Sequence, residues 1–157
     1  ALARGYAALA GGDMAEALAW FDRAISEGDD SPALRHDRAV VLHAVGRNAD
    51  ALREAALVAA ATGAAGGLLL LAGLQTRLGY AELAVPTLRL LLDDPSVGDD
   101  AAAVLAIALL DGGALDEAAA MLGAAQPTDD PRTWNQRGVV LERMGRALCD
   151  KAEGKGI

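Results

Sequence analysis

Five glycines frame this chain: Gly12, Gly46, Gly79, Gly113 and Gly145, separated by 34, 33, 34 and 32 residues. A period of that size marks one small supersecondary unit used repeatedly. Other residues keep step with the glycines. Five positions after each of the first four stands an alanine: Ala17, Ala51, Ala84 and Ala118. Four further on stands Phe21, Ala55, Leu88 or Leu122, and three beyond that Ala24, Val58, Leu91 or Ala125. Seven positions before each glycine the residue is small: Gly5, Ala39, Ala72, Ala106 and Gly138.

Glycine tolerates the left-handed backbone that closes a helix C-terminus. The flanking residues have helical period: Val41, Leu42 and Val45 recur at three- and four-residue steps before Gly46. Each unit therefore reads as a helix, a tight turn at the glycine and a second helix. Small residues let helices approach, and bulkier ones fill the space beside them. A single hairpin of this kind cannot bury its apolar surface, so neighbours must stack into a continuous core. Composition agrees, with hydrophobic residues at 53% but aromatics at 3%. Alanine and leucine must fill the core, which suits closely packed helices, whereas a β-sandwich draws on more β-branched and aromatic residues. The run Gly66–Leu74 falls in register and reads as core. Between units lie Asp29-Asp30-Ser31-Pro32, Asp93-Asp94-Pro95, Asp99-Asp100 and Asp129-Asp130-Pro131. Aspartate and serine cap helix N–H groups, and proline suits a first turn.

The period and the small/bulky columns resemble the tetratricopeptide repeat. Residues Gly12 to Ala24 match the family's second helix, and Trp134 to Leu141 followed by Gly145 match its first. The resemblance implies an all-α fold, a right-handed α-α superhelix (solenoid) of helical hairpins. A single domain is expected over 1–149, with units at about 1–31, 32–64, 65–97 and 98–130 and a truncated fifth at 131–149; 150–157 reads as a tail. Departures fall in the third unit, with Gly63, Gly66, Gly67 and Pro86, and in the fifth, where Asp150 replaces the family's alanine. Pro86 is expected to bend the third unit's second helix, and the fifth unit's second helix is expected to be frayed or absent.

Several functions are disfavoured. A net charge of −8 argues against a nucleic-acid partner, which wants a basic face. No apolar run is long enough to cross a bilayer, so membrane insertion is not expected. Cys149 is the only cysteine, which excludes an internal disulfide and a cysteine-rich zinc site. His36 and His43 stand two turns apart, too far for a helical zinc pair, and the aspartate pairs lack the spacing of a calcium loop. No metal, no cofactor and no enzymatic activity are expected. The sequence opens at Ala1 inside a helical pattern without methionine, so a preceding segment is expected. No signal peptide is visible; the compartment stays open, with the cytoplasm slightly favoured.

First helices line the concave face in the resembled family and commonly bind peptides. Carried over by register, the inner column is Tyr6, Val40, Gly73, Ile107 and Val139. Leu9, His36, His43, Arg77 and Arg143 flank it, as do Leu2, Asp37, Leu69, Thr76, Ala103, Leu110, Asp111, Asn135 and Glu142. The lysine and asparagine clamp that some members use for a peptide carboxylate is missing. Arg4, Arg38 and Arg137 are expected to cover core surface with their stems and to hydrogen-bond neighbouring turns, and Trp20 to be partly exposed beside Phe21. The expected function is a protein-interaction scaffold binding a peptide or partner surface in this groove. Two alternatives stand beside it: a structural scaffold that self-assembles through its repeat ends, and a docking or regulatory domain of a larger enzyme. The two histidines would make binding pH-dependent between about 5 and 8.

Overall fold

The computed structural model describes residues 1–124 and 131–154, the side chains of 122–124, 131–137 and 151 aside. Among these residues every regular element is an α-helix. In chain order they are α1 (Leu2–Ala10), α2 (Met14–Ser26), α3 (Pro32–Ala44), α4 (Asn48–Thr62), α5 (Ala65–Arg77), α6 (Ala81–Leu91), α7 (Gly98–Asp111), α8 (Leu115–Ala124) and α9 (Pro131–Ala152). The fold class is all-α, a solenoid of helical hairpins. The Asp129–Asp130 boundary, the side chains of Trp134, Asn135 and Arg137, and the tail from residue 155 lie outside the described residues.

The hairpin turns share one construction. Gly12, Gly46, Gly79 and Gly113 have φ of +81°, +81°, +86° and +79°, a region costly to any residue with a Cβ. The residue after each glycine then donates its backbone N–H back across the turn: Asp13 to Ala8, Arg47 to Leu42, Tyr80 to Gln75 and Ala114 to Leu109, at 2.8–3.0 Å. That bond satisfies a carbonyl the ending helix leaves without a partner. The second helix packs back at once, and Ala17, Ala51, Ala84 and Ala118 are each 0% exposed. A larger side chain there would have to displace its neighbours.

The chain divides into two compact units, Ala1–Leu74 and Gln75–Ile157, with the boundary inside α5. In the first, α1 packs on α2, α2 on α3 and α3 on α4. Its core joins Leu18, Phe21, Leu34, Val41, Leu42, Ala55 and Leu74, with Leu70 and Leu71 packed against it. Ala72 and Leu74 of α5 are thus buried, and Leu68, Leu69, Leu70 and Leu71 are half-buried, the last two against this core. In the second unit α7 is central and packs on α6, α8 and α9. Leu88, Leu105, Ala106 and Val140 are fully buried there. Pro86 sits inside α6, and the helix continues through it.

Two expectations change. Gly145 ends no helix: α9 runs unbroken for 22 residues from Pro131 to Ala152. Five positions after Gly145, where the other hairpins bury alanine, stands the exposed Asp150. A carboxylate cannot enter that close contact without losing hydration, so no second helix folds back. The aspartates also do varied work. Ser31, rather than Asp29 or Asp30, caps α3, its Oγ accepting from the Leu34 N–H at 3.3 Å, and Asp13 caps α2 by accepting from Glu16 N–H at 2.9 Å. Asp94 closes a turn on the Ser96 N–H at 2.8 Å. Asp99 and Asp100 lie within the first turn of α7, where their charge favours the helix dipole.

Candidate functional site

Register decides which side chains the first helices leave outside the core. In α3, Ala39, Val41 and Leu42 are 0–1% exposed while Val40 between them is 46% exposed. In α1, Gly5 is buried and its neighbour Tyr6 is 40% exposed. Gly73 on α5 faces open space, since a Cβ built there would meet nothing within 4 Å. The first unit therefore presents Tyr6, Val40 and Gly73 outward at matching register positions. In the second unit, Val139 on α9 is 44% exposed and Ile107 on α7 is half-buried.

Tyr6 is held from both sides. Its ring meets Phe21 edge-on, with centroids 5.4 Å apart, an arrangement aromatic pairs favour. Its hydroxyl donates to Asp37 Oδ2 at 2.7 Å. That bond, with burial and the charges of Asp37 and Asp29, pushes the Tyr6 phenol up to about 12. Ionisation would break the bond and place a second negative charge beside the carboxylate. His36 Nδ1 lies 3.4 Å from Asp37 Oδ1. Asp37 and Val40 are one helical turn apart, so carboxylate and apolar side chain share a face of α3.

The remaining predicted residues are placed less uniformly. His43 at the end of α3 turns to Asn48, with Nδ1 3.0 Å from its Oδ1. Leu9 is half-buried and packs on the core. Thr76 and Ala103 are buried, so neither flanks an open surface. Arg77 is exposed. Arg143 is ion-paired with Asp111, which ties α9 to the end of α7.

Sequence reasoning missed an ion network behind this face. Glu54 on α4 is 7% exposed. It receives Arg35 Nη1 on Oε2 and Arg38 Nη1 on Oε1, each at 2.8 Å. Arg35 also pairs with Asp30, and Arg38 with Asp22 at 2.7 Å. Arg38, its side chain 16% exposed, thus clamps three helices through carboxylates rather than bonding to a turn. Its partners lie 16 residues away in either direction, beyond the reach of local pattern. Trp20 is half-buried. Arg4 stands 4.8 Å and Arg23 5.5 Å from its ring centroid, and its Nε1 donates to Glu16 at 3.2 Å.

Among the described residues no group of three or more histidine, cysteine, aspartate or glutamate side chains is placed to hold a metal ion. No helix among them is long and apolar enough to cross a membrane.

These hairpins, with glycine turns and a buried alanine column, define a helical-repeat protein. Solved structures sharpen the class. A tetratricopeptide repeat protein from Parabacteroides merdae superposes with a TM-score of 0.75 at 20% identity, over 98% of this chain and 63% of its own. This chain therefore spans less than two thirds of that protein's length. MamA MSR-1 C2 matches at a TM-score of 0.66 and 16% identity, over 92% of this chain and 84% of its own. YrrB, described as a TPR protein with an unusual peptide-binding site, matches at 0.65 and 18%, over 92% and 79%. No protein-family model and no curated protein sequence matches the chain. The fold is that of the tetratricopeptide repeat proteins.

Proposed function

We propose that the chain is a protein-interaction scaffold that binds a peptide or a partner surface through the outward column of its first helices, centred on Tyr6 and Val40. The observation that carries this reading is the register of α3: one apolar side chain, Val40, stands out of a helix whose neighbouring apolar residues are sealed. Tyr6 supports it, because an aromatic ring already fixed by Phe21 and Asp37 loses little freedom on binding, and tyrosine is enriched at binding hot spots. A structural neighbour described as having a peptide-binding site points the same way. Gly73 belongs to the same column of the first unit, with His36 and His43 beside it; Ile107 and Val139 hold the corresponding register positions on α7 and α9 of the second unit. The test compares proteins captured from native lysate by the wild type, Val40→Glu and Arg53→Glu. Arg53 is exposed on α4 and pairs with Asp50. Partners lost with Val40→Glu and kept with Arg53→Glu support the reading, and the opposite pattern overturns it.

A second reading, association of copies through the repeat end, has its own observation. Leu42 and Leu109, three positions after the small column, are 0% and 6% exposed, whereas Leu141 at that register is 59% exposed. Light scattering on the wild type and Leu141→Glu decides it. A multimer dissociated by the substitution supports end-to-end association, and a monomer in both removes it.

A further inference from the structure

The charges around Tyr6 have an unusual imbalance. The first unit carries nine carboxylates and six arginines, and all six arginines are engaged elsewhere. Arg4 stands over Trp20; Arg23 pairs with Glu27, Arg35 with Asp30 and Glu54, and Arg38 with Asp22 and Glu54. Arg47 and Arg53 both pair with Asp50. Arg35 and Arg38 flank His36-Asp37 in sequence, yet both turn to Glu54. Of the four remaining carboxylates, Asp13 caps α2 and Glu16 accepts from Trp20. That leaves Asp29 and Asp37, neither paired with an arginine, and their negative charges both act on the Tyr6 hydroxyl. The Asp37 side chain is 34% exposed. A carboxylate offers about four acceptor positions; the Tyr6 hydroxyl takes one and His36 lies at the edge of hydrogen-bond range of another.

We propose that this face takes a peptide carrying an arginine or lysine beside an apolar residue, the cation seated between the Asp37 carboxylate and the Tyr6 ring and the apolar side chain on Val40. The proposal rests on the interaction reading above and adds the sign of the partner. Each element is matched to it. A guanidinium or ammonium donates to a carboxylate in a charge-assisted bond. The same cation is attracted by a tyrosine face. An apolar neighbour of that cation reaches Val40, one turn from Asp37. An acidic peptide meets two carboxylates that no arginine is paired with, and like charges in juxtaposition are rejected.

The test selects a phage-displayed library of random peptides on the whole chain, then measures synthetic versions of the selected sequences by fluorescence anisotropy. Asp37→Asn keeps an acceptor oxygen for the Tyr6 hydroxyl while removing the charge. Glu82→Gln, an exposed glutamate in the second unit, removes one charge elsewhere. Circular dichroism checks that each variant keeps its helices. The expected result is enrichment of arginine or lysine beside an apolar residue and loss of binding with Val40→Glu. Asp37→Asn should raise Kd by about two- to fivefold, with Glu82→Gln unchanged, and affinity should fall as salt is raised. Peptides lost with Val40→Glu but not enriched in basic residues, or indifferent to Asp37→Asn, would overturn the basic-partner proposal and leave the interaction face standing. Peptides indifferent to Val40→Glu, or no selection above background, would remove both.

Discussion

Gly5 and Gly138 occupy the same register, seven positions before a repeat glycine, and Gly→Ala should have opposite signs at the two. Alanine in a helix interior is favoured over glycine by about 1 kcal/mol. At Gly138 nothing opposes that gain, because a Cβ would meet no atom within 4 Å. At Gly5 the Cβ would lie 2.5 Å from Phe21 Cε1, 2.6 Å from Cδ1 and 3.3 Å from Trp20 Cβ. Phe21 is 0% exposed and bounded on another side by Tyr6, so its ring cannot swing aside. Overpacking of this kind costs about 1–3 kcal/mol. The net expectation is a loss of about 1 kcal/mol for Gly5→Ala and a gain of about 1 kcal/mol for Gly138→Ala. Urea unfolding followed by helical circular dichroism reads both, provided the denaturant slope stays constant. In a Phe21→Leu background the Gly5→Ala penalty should largely disappear, since the clashing ring atoms are gone. Equal stabilisation by both alanines would refute the close α1–α2 packing.

Three further outcomes follow from the same geometry. Glu54→Ala should cost about 2–3 kcal/mol in urea unfolding, below the 3–5 typical of a broken buried pair, because Arg35 and Arg38 keep Asp30 and Asp22. Tyr6 should titrate near 12 by ultraviolet absorption rather than at 10.0. A folded-state pKa raised in this way contributes stability that is complete below pH 10.0 and lost as pH rises toward 12; Tyr6→Phe should abolish that component. Amide hydrogen exchange should be faster at residues 63–68, where α4 ends at Gly63 with φ +56°, and after 146 than across Ala51–Ala59; uniform protection would contradict the expected weak points of the array.

What the sequence made legible depended on whether the cause was local. The turns at Gly12, Gly46, Gly79 and Gly113 were readable because a positive φ, a small residue seven before and an alanine five after all sit within one hairpin. Gly145 showed the limit of that logic. The glycine and Gly138 keep the frame, but one residue, Asp150, stands where the returning helix must enter the core, and α9 continues instead. The outward positions of Tyr6 and Val40 followed from helical register alone. Their surroundings did not. Glu54 is a buried carboxylate whose arginines come from another helix, and Asp37 holds a tyrosine 31 residues away. Such pairs become visible only when the helices are in place. Leu9 and Thr76 were expected beside the column but turn toward the core, because a helix flank one residue off the exposed face is easily covered by its neighbour.

The interaction face is tested most directly by site-specific photocrosslinking in native lysate. A photoreactive residue is placed at Val40 in one preparation and at Arg53 in another, and the adducts are resolved by mass spectrometry. The account predicts discrete adducts from position 40, competed away by excess unlabelled wild type, and none from position 53. Adducts from position 53 with none from position 40 would contradict it.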